Sequence, residues 1–140
     1  MRIPMPFIAV LFAAAHSLAG GPADNSAIIG VWKGTMQGLP AVTVTVEEEE
    51  GKLRGALLFY LIRRDAHGAR SASPGIPTPM IEPIFDGKVL SFRVSHRYAH
   101  PPRTLNDPPV KFHLEITGPD RAKLVDHEVP ALEMARDKYN

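Results

Sequence analysis

The sequence alternates apolar and polar residues with a period of two, and this pattern constrains its fold more than any other feature. Val42, Val44 and Val46 lie on one side of the pattern, whereas Thr43 and Thr45 lie on the other. Successive side chains of a β-strand point to opposite faces, so a period of two is typical of half-buried strands. No uninterrupted helical period is present beyond the N-terminal segment. We therefore predict an all-β protein.

Short turn signals separate the alternating runs. Gly51-Lys52, Asp86-Gly87 and Gly118-Pro119-Asp120 each stand between two runs, and Asp-Gly is among the strongest short signals for a hairpin. About eight strands joined mainly by such turns predict an antiparallel meander. Because closure of a sheet removes its exposed edges, we predict that the meander closes into a small barrel. A two-sheet sandwich is the alternative.

One face of the predicted strands supplies the interior of this barrel. The run from Leu53 to Arg64 is apolar on both faces, so its outer face, with Tyr60 and Ile62, needs a cover from a long loop or from a partner chain. The residues predicted to lie inside are Trp32, Met36, Val44, Leu57, Phe59, Leu61, Phe92, Val94, Phe112 and Leu114.

Two stretches carry no period and are predicted to be irregular. The first runs from Asp65 to Pro79, and the second from Tyr98 to Pro109. A loop as long as the first is uncommon in a compact domain unless it is functional or mobile, so we expect it to gate the interior. Between them, Met80 to Phe85 indicates a short strand that Pro83 keeps at an edge or a bulge.

The N-terminus has the layout of a secretory signal peptide. Arg2 precedes an apolar run from Phe7 to Ala15, and Ser17 and Ala19 occupy the small-x-small positions of a cleavage site. The run is shorter than the roughly 20 apolar residues of a membrane span, which disfavours an uncleaved anchor. The predicted organisation is a signal peptide at 1–19, a linker at 20–27 and one β-barrel domain at 28–140. We expect a secreted or periplasmic protein with no stable membrane span after cleavage.

Gly30-Val31-Trp32, on the first predicted strand, resembles the G-x-W signature of lipocalins and related calycin barrels. In that superfamily an arginine or lysine from near the last strand covers the tryptophan at the closed end, and Arg136 has the matching place here. Such a cation–π contact contributes about 0.5–2 kcal/mol. The lipocalin T-D-Y motif, the usual disulfides and the C-terminal helix are missing. The resemblance implies a lipocalin-like or avidin-like shape, with structural roles for Gly30, Trp32 and Arg136.

Composition and motifs argue against several function classes. The 16 Lys and Arg residues nearly balance 15 Asp and Glu, so the basic excess typical of nucleic-acid binding is missing. The chain has no cysteine, which excludes a thiolate zinc site and a cysteine nucleophile. His96 and His100 have a spacing that binds zinc on a helix, but Pro101-Pro102 follows directly. Asp126-His127-Glu128 is not expected to form an acid–base site, because neighbouring strand residues point to opposite faces. We expect no metal site, no cofactor and no catalytic residues.

We predict a noncatalytic barrel that binds a small apolar or amphipathic ligand. Arg63, Arg64 and Arg70 form the densest positive cluster, at the end of the most apolar strand, where they would hold a carboxylate or phosphate head group. The alternative is a module that binds a protein partner through its proline-rich loops and the outer face of Tyr60 and Ile62; a hydrolase-like enzyme ranks last. The candidate ligand-binding residues are Phe59, Leu61, Arg63, Arg64, Arg70 and Phe92.

Overall fold

The computed structural model describes residues 24–95, 108–126 and 129–138. Within these residues the chain forms ten strands and one short 3₁₀ helix at Asn25–Ala27, which confirms the prediction of an all-β fold. The signal segment 1–19 lies outside the described residues. The strands are β1 (Gly30–Met36), β2 (Leu39–Glu49), β3 (Lys52–Arg64), β4 (Arg70–Pro74), β5 (Thr78–Pro79), β6 (Ile81–Phe85), β7 (Val89–Val94), β8 (Val110–Gly118), β9 (Arg121–Asp126) and β10 (Val129–Arg136).

All of these strands belong to one antiparallel sheet that curls through about 205°. The strand order is β4-β3-β2-β1-β10-β9-β8-β7-β6, and β5 pairs with β3. The first and last strands are therefore neighbours, and Trp32 of β1 lies directly opposite Arg136 of β10. This pairing places the two ends of the domain side by side in the middle of the sheet.

A short segment of chain connects two distant parts of the sheet. Thr78 of β5 lies opposite Leu57 of β3, whereas Ile84 of β6 lies opposite Ser91 of β7. Met80 alone separates the two strands, and its N–H donates a 2.9 Å hydrogen bond to a carbonyl oxygen of β3. Pro83 was predicted to lie at an edge or a bulge, and both are present, because β6 ends the strand order and its register shifts between Ile81 and Ile84. One continuous segment thus bonds first to β3 and then to β7.

The stretch from Asp65 to Pro79, predicted to be irregular, contains two strands, β4 and β5, which hold seven of its fifteen residues, so the prediction is wrong for those residues. A tight turn connects β3 to β4, in which Asp65 Oδ1 accepts hydrogen bonds from the N–H groups of His67 at 2.8 Å and Ala69 at 2.9 Å. β4 then pairs with the second half of β3. The side chains of β4 are mostly small or polar and show no apolar alternation. The strand forms nevertheless, because its backbone pairs with that of β3. The paired residues of this segment are therefore not the free loop that the expectation of a gate assumed.

The predicted hairpin turns at Gly51 and at Asp86-Gly87 are confirmed. Glu50 and Gly51 both have positive φ, at 52° and 78°, which the two-residue turn between β2 and β3 requires. At the β6–β7 turn, Asp86 Oδ1 accepts hydrogen bonds from the N–H groups of Lys88 at 2.8 Å and Val89 at 2.7 Å. These turns fix the register of the strands that they join.

The core lies on the inner face of the curled sheet, as the alternation predicts. Of the residues predicted inside, seven are buried, namely Trp32, Val44, Leu57, Phe92, Val94, Phe112 and Leu114. Phe59 and Leu61 are only half-buried. The prediction for Met36 is wrong, since it is 56% exposed. Met36 is the last residue of β1, where the chain leaves the sheet for a turn and few neighbours remain to cover it.

Candidate functional site

Trp32 and Arg136 contact each other at one end of the sheet. The indole of Trp32 is fully buried, and its Nε1 donates a 2.9 Å hydrogen bond to the carbonyl oxygen of Ile28. The guanidinium carbon of Arg136 lies 4.6 Å from the centroid of the indole ring. This is the contact that the G-x-W resemblance implies, and it is favourable because the cation faces the negative face of the ring.

The same guanidinium binds the chain that leads into β1. Its Nη1 donates to the carbonyl oxygen of Ile29 at 3.2 Å, and its Nη2 donates to that of Ala27. Its Nε lies 3.2 Å from Asp120 Oδ1, in the turn between β8 and β9. Residues 24–27, predicted as linker, thus contact the sheet through Arg136. The arginine joins the start of the domain, its last strand and a neighbouring turn.

Gly30 makes room for this arrangement. Its φ of 137° is a conformation that residues with a side chain rarely adopt. A Cβ built on it would lie 3.4 Å from both Cγ and Cδ of Arg136. The glycine therefore allows the arginine stem to lie against β1, which accords with the structural role that the resemblance implies for Gly30.

A cavity of about 450 Å³ lies toward the opposite end of the sheet. It lies between the last residues of β1 and β9, the first residues of β2 and β10, and the second half of β3. Almost every side chain that lines it is apolar. The lining residues are Met36, Ala41, Val42, Phe59, Tyr60, Leu61, Ile62, Phe112, Leu124, Asp126, Pro130, Ala131 and Leu132.

The cavity contains two of the six residues predicted to bind a ligand. Phe59 and Leu61 line it. Phe92 does not; it is buried behind Phe112, with the two ring centroids 5.9 Å apart in a stacked arrangement. Phe59 packs on the other side of Phe112, with its ring centroid also at 5.9 Å. The aromatic cluster therefore forms the floor of the cavity, with Phe92 beneath it.

The three predicted arginines lie away from the cavity lining. Arg63 pairs with Ser71 and Arg64 with Arg70 in the β3–β4 hairpin, and all three arginines are exposed. None of them is among the residues that line the cavity. Arg63 and Arg64 stand at the end of an apolar strand, as the sequence indicates. The pairing of β3 with β2 ends at Phe59, however, and β3 continues beyond it to Arg64, so both arginines lie past the region that the two strands share.

Asp126 lines the cavity but was not among the residues predicted to bind a ligand. It is only 6% exposed, and it shares the inner face of β9 with the buried residues Ala122 and Leu124. From the sequence, Asp126 was considered only together with His127 and Glu128, as part of an acid–base site. The period of two along Ala122, Leu124 and Asp126 was the signal that identifies it as inward-facing.

Two other polar side chains of the described residues lie close together outside the cavity. Ser91 Oγ and His113 Nδ1 lie 3.0 Å apart on the outer face of β7 and β8. In the part of the chain that the structure describes, no cluster of three or more His, Asp or Glu side chains is placed to hold a metal ion. His96, His100 and His127 lie outside the described residues. Among residues 24–95, 108–126 and 129–138, no helix has the length and apolar character that a membrane span requires.

The resemblance to calycin barrels involves very few residues. The G-x-W resemblance depends on Gly30, Trp32 and Arg136, whose contacts are given above. Comparison of the chain with known protein families, with curated proteins and with solved structures gave no match.

Proposed function

We propose that this protein is a noncatalytic β-barrel that binds a small apolar or amphipathic ligand in the cavity at the end opposite Trp32. The observation that carries the proposal is the cavity itself. Its volume of about 450 Å³ lies within the range of about 300–1,000 Å³ typical of small-molecule sites. Its lining is apolar apart from Asp126 and Tyr60, as expected for a site that holds a ligand by hydrophobic burial.

Barrel closure is part of this proposal. The pairing of β1 with β10 joins the first and last strands, and the β5–β6 segment bonds to both β3 and β7. The β3–β4 hairpin counts as one strand if β4 is taken as an extension of it, and β5 and β6 together count as another. About eight strands then surround the interior, and a barrel of this size has room for side chains or one small ligand. Phe92 and Phe112 are buried in this interior, and the cavity lies beside Phe112.

A lipocalin-like or avidin-like shape follows as the finer form of the proposal. The support is the G-x-W tripeptide, the Arg136 guanidinium over the Trp32 ring and the meander of antiparallel strands. Export is proposed from the charged start, the apolar run and Ser17-Leu18-Ala19 alone. Intact-mass measurement of the protein made in its own cells tests export, because a cleaved chain lacks residues 1–19.

Ligand binding is tested by calorimetric titration of delipidated protein with 1-decanol, an uncharged molecule with an apolar tail. We expect saturable binding at one site. Leu61→Trp places a larger side chain in the cavity and is expected to reduce the affinity at least about tenfold, as steric exclusion from the site predicts. Ile84→Trp, at a position that is 67% exposed on β6 and away from the cavity, is the matched control and is expected to bind normally. Equal binding by both variants refutes the assignment of the site.

The protein-interaction alternative retains one supporting observation. Ile62 of β3, which also lines the cavity, is 43% exposed, and Ile76 is exposed between β4 and β5. Its other support is reduced, because most of the proline-rich stretch 70–79 is paired with β3 rather than looped out, whereas most of the second stretch, 98–109, lies outside the described residues. Failure of every apolar probe to bind folded, delipidated protein would favour this alternative over ligand binding.

A further inference from the structure

We propose that the outer face of the β3–β4 hairpin docks on a membrane surface that carries anionic lipids. The proposal goes beyond the ligand-binding function proposed above, because it concerns a surface outside the cavity. It is drawn from exposed arginines that lie beside exposed apolar residues at the end of β3.

The pairing of β3 with β4 determines which side chains share this face. Residues two apart on a strand point to the same side, and so do residues directly opposite each other on paired strands. Leu57 is buried and Phe59 packs against the core, so the even-numbered residues near the end of β3 point outward. The outer face of the hairpin, called the hairpin face below, therefore contains Tyr60, Ile62, Arg64, Arg70, Ala72 and Pro74.

Two arginines stand directly opposite each other on the hairpin face. Arg64 of β3 pairs with Arg70 of β4, and both are exposed. Like charges in this position repel each other and destabilise a strand pair. Three other arginines of the described residues form ion pairs with carboxylates, whereas Arg63, Arg64 and Arg70 form none with the described residues. An anion bound between Arg64 and Arg70 would relieve their repulsion.

The charge of the hairpin selects an anionic partner. Residues 60–74 contain three arginines but only one acidic residue, Asp65. The Oδ1 atom of Asp65 already accepts two backbone hydrogen bonds within the turn. A guanidinium group binds phosphate oxygens through two parallel N–H groups, which makes arginine a preferred partner of phosphate. The phosphate groups of lipids therefore fit the charged end of the hairpin face.

The apolar part of the hairpin face favours a membrane over a soluble acidic partner. Ile62 is 43% exposed, Pro74 is exposed and Tyr60 is half-buried. Tyrosine is enriched at the membrane–water interface, where its amphipathic ring lies at the level of the head groups. Surfaces that lie on membranes combine such residues with basic ones that attract anionic lipids. The hairpin face has both parts side by side.

The hairpin face adjoins the cavity. Tyr60, Leu61 and Ile62 line the cavity, and Arg63 and Arg64 follow them on the same strand. A strand rises about 3.3 Å per residue, so Arg64 lies about 7 Å beyond Ile62 along β3. A protein docked by this face holds its cavity beside the lipid, where apolar molecules accumulate. This last step depends on the ligand-binding function proposed above, whereas the docking itself does not.

The test measures binding of the delipidated full chain to lipid vesicles by co-sedimentation. Vesicles of phosphatidylcholine are compared with vesicles that also contain phosphatidylglycerol, an anionic lipid. We expect binding at least about tenfold tighter to the anionic vesicles, since each arginine near such a surface contributes about fivefold. Added salt at about 0.5 M is expected to remove most of this difference, because it screens the attraction between the arginines and the lipid.

Joint replacement of Arg64 and Arg70 by Gln is the decisive variant. It is expected to lower the affinity for anionic vesicles about thirtyfold, as the loss of two surface cations predicts. The matched control is joint replacement of Lys88 and Arg121 by Gln. It removes the same charge from two exposed positions next to the β6–β7 and β8–β9 turns, away from the hairpin. The control is expected to lower the affinity by less than about threefold.

A second measurement reports which face meets the membrane. The chain has no cysteine, so a single introduced cysteine can carry an environment-sensitive fluorophore. Ala72→Cys places the label on the hairpin face, directly opposite Ile62. Ile84→Cys places it on β6, at a position that is 67% exposed. Anionic vesicles are expected to shift the emission of the first label to shorter wavelength and to leave that of the second unchanged.

The outcomes separate the docking surface from the ligand-binding function. Equal binding to both kinds of vesicle, an equal loss in the control variant, or no response of the label at residue 72 overturns the proposal. Self-association without vesicles that is lost when Arg64 and Arg70 are replaced would assign the face to a second copy instead. Binding of 1-decanol without binding of anionic vesicles leaves the ligand-binding function standing alone, and the reverse result leaves the docking surface standing alone.

Discussion

Replacing Trp32 and Arg136 separately and together measures how much their contact contributes to stability. Trp32→Leu removes a fully buried ring and its hydrogen bond to Ile28, and we expect a loss of about 2–4 kcal/mol, somewhat less than truncation to alanine. Arg136→Met keeps an apolar stem but loses the bonds to the Ile29 and Ala27 carbonyls and the ion pair with Asp120. We expect it to lose about 1–3 kcal/mol. The double variant should be less destabilised than the sum by about 0.5–2 kcal/mol, the range of a cation–π contact.

Urea unfolding followed by far-ultraviolet circular dichroism is the suitable assay. Trp32 is the only tryptophan of the chain, so its fluorescence is lost in half of the cycle. A second cycle that combines Arg136→Met with Ile84→Ala, an exposed position on β6, serves as the control and should be additive. A coupling below about 0.3 kcal/mol between Trp32 and Arg136 would refute the argument, because residues in contact normally couple more strongly than that.

Three further outcomes are expected. Gly55→Ala should destabilise the protein by about 1–3 kcal/mol in urea unfolding, because its Cβ would lie 2.0 Å from the Thr45 carbonyl oxygen, whereas Gly118→Ala, which meets nothing closer than 4.0 Å, is the control. Asp86→Ala should lower the melting temperature at neutral pH. Hydrogen bonds from the N–H groups of Val89 and Lys88 hold the pKa of Asp86 below its ordinary value in the folded protein. Their stabilisation is therefore present above the pKa of Asp86 in the unfolded chain, and it is lost as the pH falls through the pKa of Asp86 in the folded protein. A difference from the natural protein that persists in acid contradicts this assignment. Joint replacement of Arg63 and Arg64 by Gln should change the affinity for 1-decanol by less than about twofold relative to the natural protein, since neither residue lines the cavity. A larger loss of affinity in calorimetry would show that the two arginines contribute to binding.

The sequence predicted those parts of the fold that depend on local chemistry. The alternation of Val42, Val44 and Val46 identified an inward face because strand geometry repeats every two residues, and all three are buried. Asp86-Gly87 identified a turn because few residues adopt its backbone conformation. The contact of Trp32 with Arg136 was reached through the resemblance, and the pairing of the first strand with the last brings the two residues together.

The parts that failed depend on distant neighbours, which a sequence does not display. The stretch from Asp65 to Pro79 lacks alternation, yet β3 supplies hydrogen-bond partners that hold much of it as strand. Met36 continues the apolar pattern of β1 but lies where the sheet no longer covers it. Asp126 was judged against its neighbours in sequence, although its surroundings are the apolar residues of β3 and β10.

The pairing of β1 with β10 has a consequence for folding kinetics. The bond from Arg136 to Ala27 spans 109 positions of the chain, whereas the hairpins need only a few. Forming so distant a contact early would cost a large loop-closure entropy before any other contact offsets it. We therefore expect the hairpins to form first and β1 to meet β10 after the rate-limiting barrier. A chevron plot of Arg136→Met should accordingly show faster unfolding with a nearly unchanged folding rate, so that this pairing sets how long each folded molecule survives.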